Sequence, residues 1–388
     1  MKHSAPEHRV PGTAKRQSLQ MANQTASYVV VALCLLVLVA RHAEARQPRL
    51  VPAIFVFGDS TVDVGNNNFL GGTRKEGRAN FPQYGVDFPT SKPTGRFSNG
   101  FNTADRLAQF LGFPLSPPAY LSLNRRTVRS QMFKGLNFAS AGSGLGDHTG
   151  RSVVGEVIPM TQQVESFATV VKHMHQSSGS RRTASLLSKS IFFISTGSND
   201  MFEYSFSRSN DRKFLASLVA AYKLYLKALY HLGARKFSIV SIPPLGCTPS
   251  QRLRRLAQMG TQGCFDPLND LSLQSYPLLS AMLEELAHEL PGMAYSLGDA
   301  FTMVSFVFAN PHTNDWSFTE LQAACCGEGP FGASGCNQTV PLCGNRDSYL
   351  FWDANHPTQA VSTIAAQTLF AGNHTFVNPI NVLQLTKL

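Results

Sequence analysis

Short apolar runs alternate along most of the chain with segments in which apolar residues recur at three- and four-residue steps. The short runs, each of which predicts a buried strand, lie at 52–58, 136–140, 190–196, 236–242 and near 293–297. The periodic segments, which predict helices, lie at 101–112, 211–232, 272–290 and, as the last helix, near 358–370. Nearly all-apolar strands that alternate with helices are typical of a parallel sheet covered on both faces. The pattern therefore predicts an α/β fold.

No Gly/Ser-rich or Pro-rich linker and no repeat of fixed period interrupts this alternation. We therefore predict one domain over residues 46–388, with a cysteine-rich excursion near 311–347. A chain of 388 residues can bury a sizeable core without covalent staples. The cysteines therefore need an explanation other than rescue of a small fold.

The first 45 residues have the features of a signal peptide. Residues 28–40 form an unbroken apolar run of thirteen residues, and Ala43-Glu44-Ala45 follows with the small-x-small pattern of a cleavage site. A membrane span needs about 20 apolar residues, so the run favours a signal peptide removed after Ala45 over an uncleaved anchor. The basic stretch before the run is long, and Met21 is an alternative start. We predict a secreted, extracellular protein without a transmembrane segment.

Removal of residues 1–45 also removes Cys34 and leaves an even number of cysteines. These six are Cys247, Cys264, Cys325, Cys326, Cys336 and Cys343. In an oxidising compartment they indicate three disulfides, although six cysteines allow fifteen pairings. Cys247 with Cys264 is the natural local pair, and the other four are expected to pair among themselves. The adjacent Cys325-Cys326 lacks C-x-x-C spacing, which disfavours a zinc site.

Glycosylation signals and charge add to the prediction of export. Asn337 and Asn373 each begin an N-x-[ST] acceptor triplet. The mature chain would carry 29 basic and 22 acidic side chains, a formal net charge of +7. That charge would suit an acidic extracellular matrix, but the basic residues are scattered, which favours an ordinary solvated surface. No basic stripe with interleaved aromatic residues is present, so no nucleic-acid partner is predicted.

Residues that can offer hydrogen-bonding groups follow three of the predicted strands. Ser60 comes after the first, Gly142 after the second and Asn199 after the third. Because the carboxyl ends of parallel strands meet at one edge of a sheet, we expect these groups to lie together. Near the C-terminus, Asp353 stands three residues before His356. A carboxylate at that spacing can accept the Nδ1 proton of the imidazole and leave Nε2 facing a serine.

These residues lie in motifs that resemble the plant GDSL esterase/lipase group of the SGNH hydrolase superfamily. The matching segments are FVFGDSTVDVGNNN (55–68), YGVDFP (84–89), PTGRFSNG (93–100), GLNFASAGSG (135–144), STGSND (195–200), PPLGC (243–247), ACCG (324–327) and YLFWDANHPT (349–358). The resemblance runs from about Ala53 to Phe370. It implies a three-layer α/β/α, flavodoxin-like SGNH hydrolase fold with a mostly parallel sheet.

The resemblance also implies a secreted serine esterase that hydrolyses carboxylic (acyl or acetyl) esters through an acyl-serine intermediate. Ser60 would be the nucleophile and His356 the general base, oriented by Asp353. The backbone N–H groups of Ser60 and Gly142 and the Asn199 side chain would form the oxyanion hole. No metal and no organic cofactor is implied. Two departures, Thr61 after the serine and Ser91-Lys92 in place of glycines, affect the expected substrate preference.

Two other functions remain open at this point. A transacylase would use the same triad, and a non-enzymatic wall or glycan-binding protein would lack a catalytic residue, of which none is missing. Lipid, acetylated polysaccharide and phenolic esters all suit the resemblance as substrates. Asp59 and Asp200 are expected to support turns, and Arg96 is expected to form a structural ion pair. His173 and His175, two residues apart, would face different ways on a helix, which disfavours a metal site.

Overall fold

The fold is seen in a computed structural model that describes Met1, residues 48–205 and residues 210–388, and it is organised around a six-stranded sheet. The strands of the described residues are β1 (Ile54–Gly58), β2 (Gly135–Asn137), β3 (Ile191–Ser195), β4 (Lys236–Val240), β5 (Ala294–Gly298), β6 (Glu320–Ala324), β7 (Tyr349–Phe351) and β8 (Val377–Pro379). The central sheet has the order β2-β1-β3-β4-β5-β8, and β6 pairs with β7 separately. Its first five strands are parallel, as predicted, whereas β8 pairs antiparallel with β5.

Twelve α-helices connect and flank these strands in the described part of the chain. They are α1 (Thr103–Phe110), α2 (Arg125–Gln131), α3 (Arg151–Val154), α4 (Met160–Ser178), α5 (Ser180–Lys189), α6 (Ser198–Tyr204), α7 (Asp211–His231), α8 (Pro249–Met259), α9 (Asp266–Glu289), α10 (Ala300–Ala309), α11 (Gln359–Ala371) and α12 (Val382–Thr386). All four predicted helices are present. Helix α9 begins six residues before the predicted start at 272, because Pro267 suits its first turn. The prediction that the helix near 358–370 is the last was wrong, since α12 follows it.

The sheet is buried on both faces, which gives the three-layer α/β/α arrangement. Successive side chains of a strand point to opposite faces, so in β1 Phe55 and Phe57 join one core while Ile54 and Val56 join the other. Helices α4, α5, α7 and α9 cover the phenylalanine face. Helices α1, α11 and α12 cover the opposite face.

The strand order places a crevice at the carboxyl ends of β1 and β3, where the direction of winding reverses. The chain turns sharply at the end of β1, at Gly58. This residue has φ of 140°, and a Cβ on it would lie 1.9 Å from the carbonyl oxygen of Ser195. Only glycine can occupy such a position, and the turn brings the following Ser60 to the crevice.

The cysteine-rich excursion is cross-linked and paired with the segment that leads to Asp353. The disulfides join Cys247 to Cys264, Cys325 to Cys343 and Cys326 to Cys336. The first is the expected local pair, and the other four cysteines pair among themselves. The backbone N–H groups of Cys325 and Cys326 donate to the carbonyl oxygens of Phe351 and Trp352. The excursion therefore braces the chain immediately before Asp353.

Residues Arg49–Leu388 form one compact unit. Apart from Met1, the predicted signal peptide (residues 1–45, including Cys34) lies outside the described residues. Its cleavage and the boundary at residue 46 therefore stay predictions.

Candidate active site

The three residues expected to form a triad lie in hydrogen-bond contact. Ser60 Oγ is 2.8 Å from His356 Nε2, although the two residues are 296 positions apart. His356 Nδ1 lies 2.8 Å and 2.9 Å from the two carboxylate oxygens of Asp353. The imidazole therefore stands between a hydroxyl and a carboxylate, in the arrangement that allows it to take the serine proton.

The Asp353–His356 contact arises from a local turn. Asp353 Oδ1 accepts the backbone N–H groups of Asn355 and His356, each at 2.9 Å, and such side-chain bonds to the following backbone stabilise a turn. Burial opposes ionisation of Asp353, but the charge and hydrogen bond of His356, the Asn355 N–H and the Tyr84 hydroxyl outweigh it. These partners hold the pKa of Asp353 below its usual value of 3.8. The carboxylate is therefore charged when it faces the imidazole.

The three residues expected to form the oxyanion hole share one cavity. Ser60, Gly142 and Asn199 line one cavity. Asn199 Nδ2 donates one hydrogen to the carbonyl oxygen of Ser143 at 2.9 Å, which fixes the amide and leaves its second hydrogen available. Within the described ranges, the backbone N–H groups of Ser60 and Gly142 donate to no protein acceptor. Such preorganised donors stabilise an oxyanion.

Asp200 and Asp59 support the loops that carry these donors. Asp200 accepts hydrogen bonds from the backbone N–H groups of Leu145 and Gly146 and from the Thr149 hydroxyl, at 2.7–2.9 Å. It thus ties the glycine-rich loop after β2 to α6, and burial raises its pKa. Asp59 Oδ1 accepts the N–H and the hydroxyl of Thr61 at 2.9 Å and 2.7 Å. Both contacts are those of turn-supporting residues.

The buried carboxyl of Asp59 is expected to make stability depend on pH. Burial raises its pKa from 3.8 to about 6, so the folded state binds this proton more tightly than the unfolded state does. Asp59 therefore disfavours folding above about pH 6, and this cost disappears as the pH falls towards 4. The effect of Asp59→Asn on the free energy of unfolding should be more stabilising at pH 8 than at pH 4 by about 2–3 kcal/mol.

Urea unfolding of both proteins at the two pH values measures this difference. The exposed Asp270 supplies a control, since Asp270→Asn should change the stability by a similar amount at both. An Asp59→Asn effect that is equal at pH 8 and pH 4 would contradict the expectation.

Arg96, His173 and His175 take no part in this cavity. Arg96 forms a buried, two-fold ion pair with Asp105, with Nε–Oδ2 and Nη2–Oδ1 distances of 2.6 Å and 2.8 Å. The two histidines lie on α4. In the part of the chain that the structure describes, no group of three or more His, Cys, Asp or Glu side chains is placed to hold a metal ion.

Sequence reasoning missed Gln163, which connects two loops of the site. Its Oε1 accepts the N–H of Gly58, and its Nε2 donates to the Gly58 carbonyl, both at 2.9 Å. The same Nε2 lies 3.1 Å from Ser143 Oγ. Gln163 is fully buried. The feature of the sequence that could have identified it is a polar amide on the apolar face of α4, next to Val164 and four residues before Phe167.

The cavity at Ser60 has a volume of about 380 Å³, and apolar side chains line it together with the polar residues of the site. Its apolar lining comes from the end of β4 and from α10 and α11, and includes Val240, Met303, Val304, Ala365 and Leu369. Apolar walls bind hydrocarbon by removing it from water. The cavity thus combines the Ser60 hydroxyl, the candidate oxyanion donors and apolar side chains.

Comparison with known proteins agrees with this geometry. The sequence profile of the GDSL-like lipase/acylhydrolase family matches residues 54–369. The chain is 35% identical over 347 residues to GDSL esterase/lipase At5g55050 of Arabidopsis thaliana, covering 86% of this chain and 90% of that protein. It is 37% identical over 348 residues to GDSL esterase/lipase At1g71691 of the same plant, covering 87% and 86%. The chain therefore belongs to the GDSL-like lipase/acylhydrolase family.

Proposed function

We propose that this protein is a serine esterase that hydrolyses carboxylic esters through an acyl-serine intermediate. The observation that carries the proposal is the 2.8 Å contact between Ser60 Oγ and His356 Nε2, with Asp353 on the other ring nitrogen. A serine hydroxyl is a weak nucleophile until an adjacent base takes its proton. Family membership and the relatives named as esterases support the same reaction.

In the first half of the reaction, His356 Nε2 takes the proton of Ser60 as Oγ attacks the ester carbonyl carbon. The carbonyl electron pair moves onto oxygen, where the N–H groups of Ser60 and Gly142 and the Asn199 amide stabilise the negative charge. When the oxyanion collapses, the C–O bond to the alcohol breaks and His356 protonates the leaving alcohol. Water, deprotonated by His356, then attacks the acyl-serine, and the carboxylic acid leaves as Ser60 regains its proton.

The apolar lining of the cavity favours esters with a hydrocarbon acyl chain over acetyl esters of a polysaccharide. Ala365 and Leu369 of α11 and Met303 of α10 offer a chain no hydrogen-bonding group, and Leu369 is buried. Each methylene removed from water contributes about 0.8 kcal/mol. The proposed substrate is therefore an ester whose acyl group extends several carbons from the carbonyl.

We also propose that the protein acts outside the cell. The apolar run at 28–40 and the small residues Ala43 and Ala45 support export. Asn337 and Asn373, the two glycosylation acceptors, are both exposed, and three disulfides suit an oxidising compartment. Within the residues that the structure describes, no helix combines the length and apolar character needed to span a bilayer.

A panel of p-nitrophenyl esters from acetate to longer acyl chains tests the function. The enzyme is to be recovered from the medium of a secreting host, where a chain that begins at Arg46 is expected. We expect kcat/KM to rise about fourfold per added methylene until the cavity is filled. Ala365→Trp, which places an indole at the apolar lining of the cavity, should lower kcat/KM for the longer esters about 10–100-fold and leave acetate within about threefold.

The control for this variant is Ala371→Trp, since Ala371 is exposed at the end of the same helix. It should leave the chain-length preference unchanged. If the folded parent protein hydrolyses no ester of the panel, the proposed function is wrong. If Ala365→Trp affects acetate and long esters equally, only the assignment of the apolar lining to the acyl chain is wrong. An alcohol acceptor added to the same assay measures transacylation, which would proceed through the same acyl-serine intermediate as hydrolysis.

A further inference from the structure

Tyr84 contacts the triad carboxylate directly. Its phenolic Oη donates a hydrogen bond of 2.7 Å to Asp353 Oδ2, across 269 residues of sequence. The tyrosine is 5% exposed. Burial and the neighbouring charge of Asp353 raise the pKa of Tyr84 well above its usual value of 10.0. The phenol is therefore a permanent donor to this carboxylate.

The four other hydrogen bonds to Asp353 all come from its own turn. They come from the N–H groups of Asn355 and His356 and from His356 Nδ1, which contacts both carboxylate oxygens. Among the described residues, Tyr84 is the one donor to this carboxylate from a distant segment. Oδ2 is thus shared between the phenol and the imidazole, so the position and charge of this oxygen depend on both.

The segment that contains Tyr84 also contacts the His356 imidazole, through the ring of Phe97. The Tyr84 ring packs edge-on against Phe97, with ring centroids 5.7 Å apart. The Phe97 ring lies against the His356 ring, with centroids 4.7 Å apart. Tyr84 and Phe97 share a buried cluster with Cys325, Cys326 and Trp352. The disulfide-braced excursion and the Tyr84 segment therefore support the Asp353–His356 turn together.

We propose that Tyr84 is a positioning residue, which holds the Asp353 carboxylate towards His356 and withdraws part of its negative charge. The inference rests on the proposed esterase function. A hydrogen bond from a phenol spreads the charge of a carboxylate. With less charge on Oδ2, Asp353 attracts the positive charge of an imidazolium less strongly.

Two other acidic side chains of the cavity also carry charge that can act on the site. Asp59, in the turn after β1, interacts electrostatically with His356, and Asp353 faces it from its own turn. Glu76 lies on the cavity wall, and the Tyr84 hydroxyl contacts the pair at Asp353. A comparison of two enzymes that differ at Tyr84 alone holds the contributions of Asp59 and Glu76 constant.

The test is the pH profile of kcat/KM for Tyr84→Phe on the ester that the parent hydrolyses best. The variant keeps the ring and loses only the hydroxyl. The acid limb is expected to move to higher pH by about half a pH unit. Without the phenol hydrogen bond, the Asp353 carboxylate stabilises the imidazolium more strongly than it does in the parent. The plateau value of kcat should fall less than about tenfold, since the triad remains. KM should change little, because Tyr84 does not line the cavity.

Tyr222→Phe is the matched control. Tyr222 is 3% exposed, and its hydroxyl has no hydrogen-bond partner among the described residues, so its acid limb should stay in place. If Tyr84→Phe does not fold, fluorotyrosine at position 84 carries the test: its more acidic phenol is a stronger donor and should move the acid limb to lower pH.

An unchanged or downward-shifted acid limb in folded Tyr84→Phe would overturn the inference, as would an equal shift in Tyr222→Phe. An unchanged or upward-shifted limb with fluorotyrosine would have the same meaning. These results differ from failure of the esterase function itself, in which the parent protein hydrolyses no ester.

Discussion

Ser60→Ala is expected to lower kcat for ester hydrolysis by about 10⁵–10⁶-fold while leaving the fold intact. The variant removes the atom that would form the acyl-enzyme, and no other hydroxyl in the described chain contacts His356 Nε2. Alanine fits in the space of serine, and in the described structure Ser60 Oγ makes a hydrogen bond to His356 and to no other group. The free energy of unfolding should therefore change little. The measurement is single-turnover and steady-state hydrolysis of the best p-nitrophenyl ester, with circular dichroism and urea unfolding for the fold.

Two controls show whether the loss belongs to this hydroxyl. Ser198 lines the same cavity, and Ser198→Ala should keep most of the parent activity. A serine-directed phosphonate should label the parent protein once, at Ser60, and should not label Ser60→Ala. Comparable rates for Ser60→Ala and the parent, or labelling at another serine, would disprove the assignment of the nucleophile.

His356→Ala is expected to lower kcat by a similar factor, about 10⁵-fold or more. Without the imidazole, Ser60 has no base to take its proton, and the leaving alcohol has no acid to protonate it. Because the two residues act in one step, removing both should cost little more than removing one. The double variant Ser60→Ala/His356→Ala should therefore hydrolyse esters at nearly the same rate as Ser60→Ala.

The matched control is His312→Ala, which removes an exposed imidazole that contacts Ser317. It should retain activity close to that of the parent. If the losses of the Ser60 and His356 variants multiply in the double variant, the two side chains act independently and the shared proton is excluded. The 14% exposed ring of His356 is also open to the cavity, so added imidazole should restore part of the activity of His356→Ala but none in the double variant.

Local sequence determined the elements that carry the site. An apolar run such as residues 54–58 specifies a strand buried on both faces, since alternate side chains enter two cores. Asp353 and His356 meet within one turn, which a spacing of three residues is enough to specify. Ser60, Gly142 and Asn199 could be placed at one edge because parallel strands end there. None of these inferences required a contact between distant segments.

Other features depended on packing that no local pattern contains. Helix α4 was not predicted, although Phe167 and Val171 are spaced four residues apart on one face, because polar residues interrupt the apolar pattern along the helix. The antiparallel strand β8 is three residues long, too short for a period-two pattern. The pairing of Cys325 with Cys343 and of Cys326 with Cys336 also needed coordinates, because the crossed pairing of Cys325 with Cys336 and of Cys326 with Cys343 would join cysteines of similar separation.

The amino-acid sequence by itself therefore determined the α/β elements, the edge of the sheet that bears the polar residues, and the Asp353–His356 turn. Only the tertiary structure decided that Nε2 of His356 meets Ser60, that Gln163 bridges Gly58 and Ser143, and that Tyr84 bonds to Asp353. The physical reason is the range of the interactions. Periodicity and turn chemistry act over a few residues, whereas these contacts depend on how helices and excursions pack around the whole core.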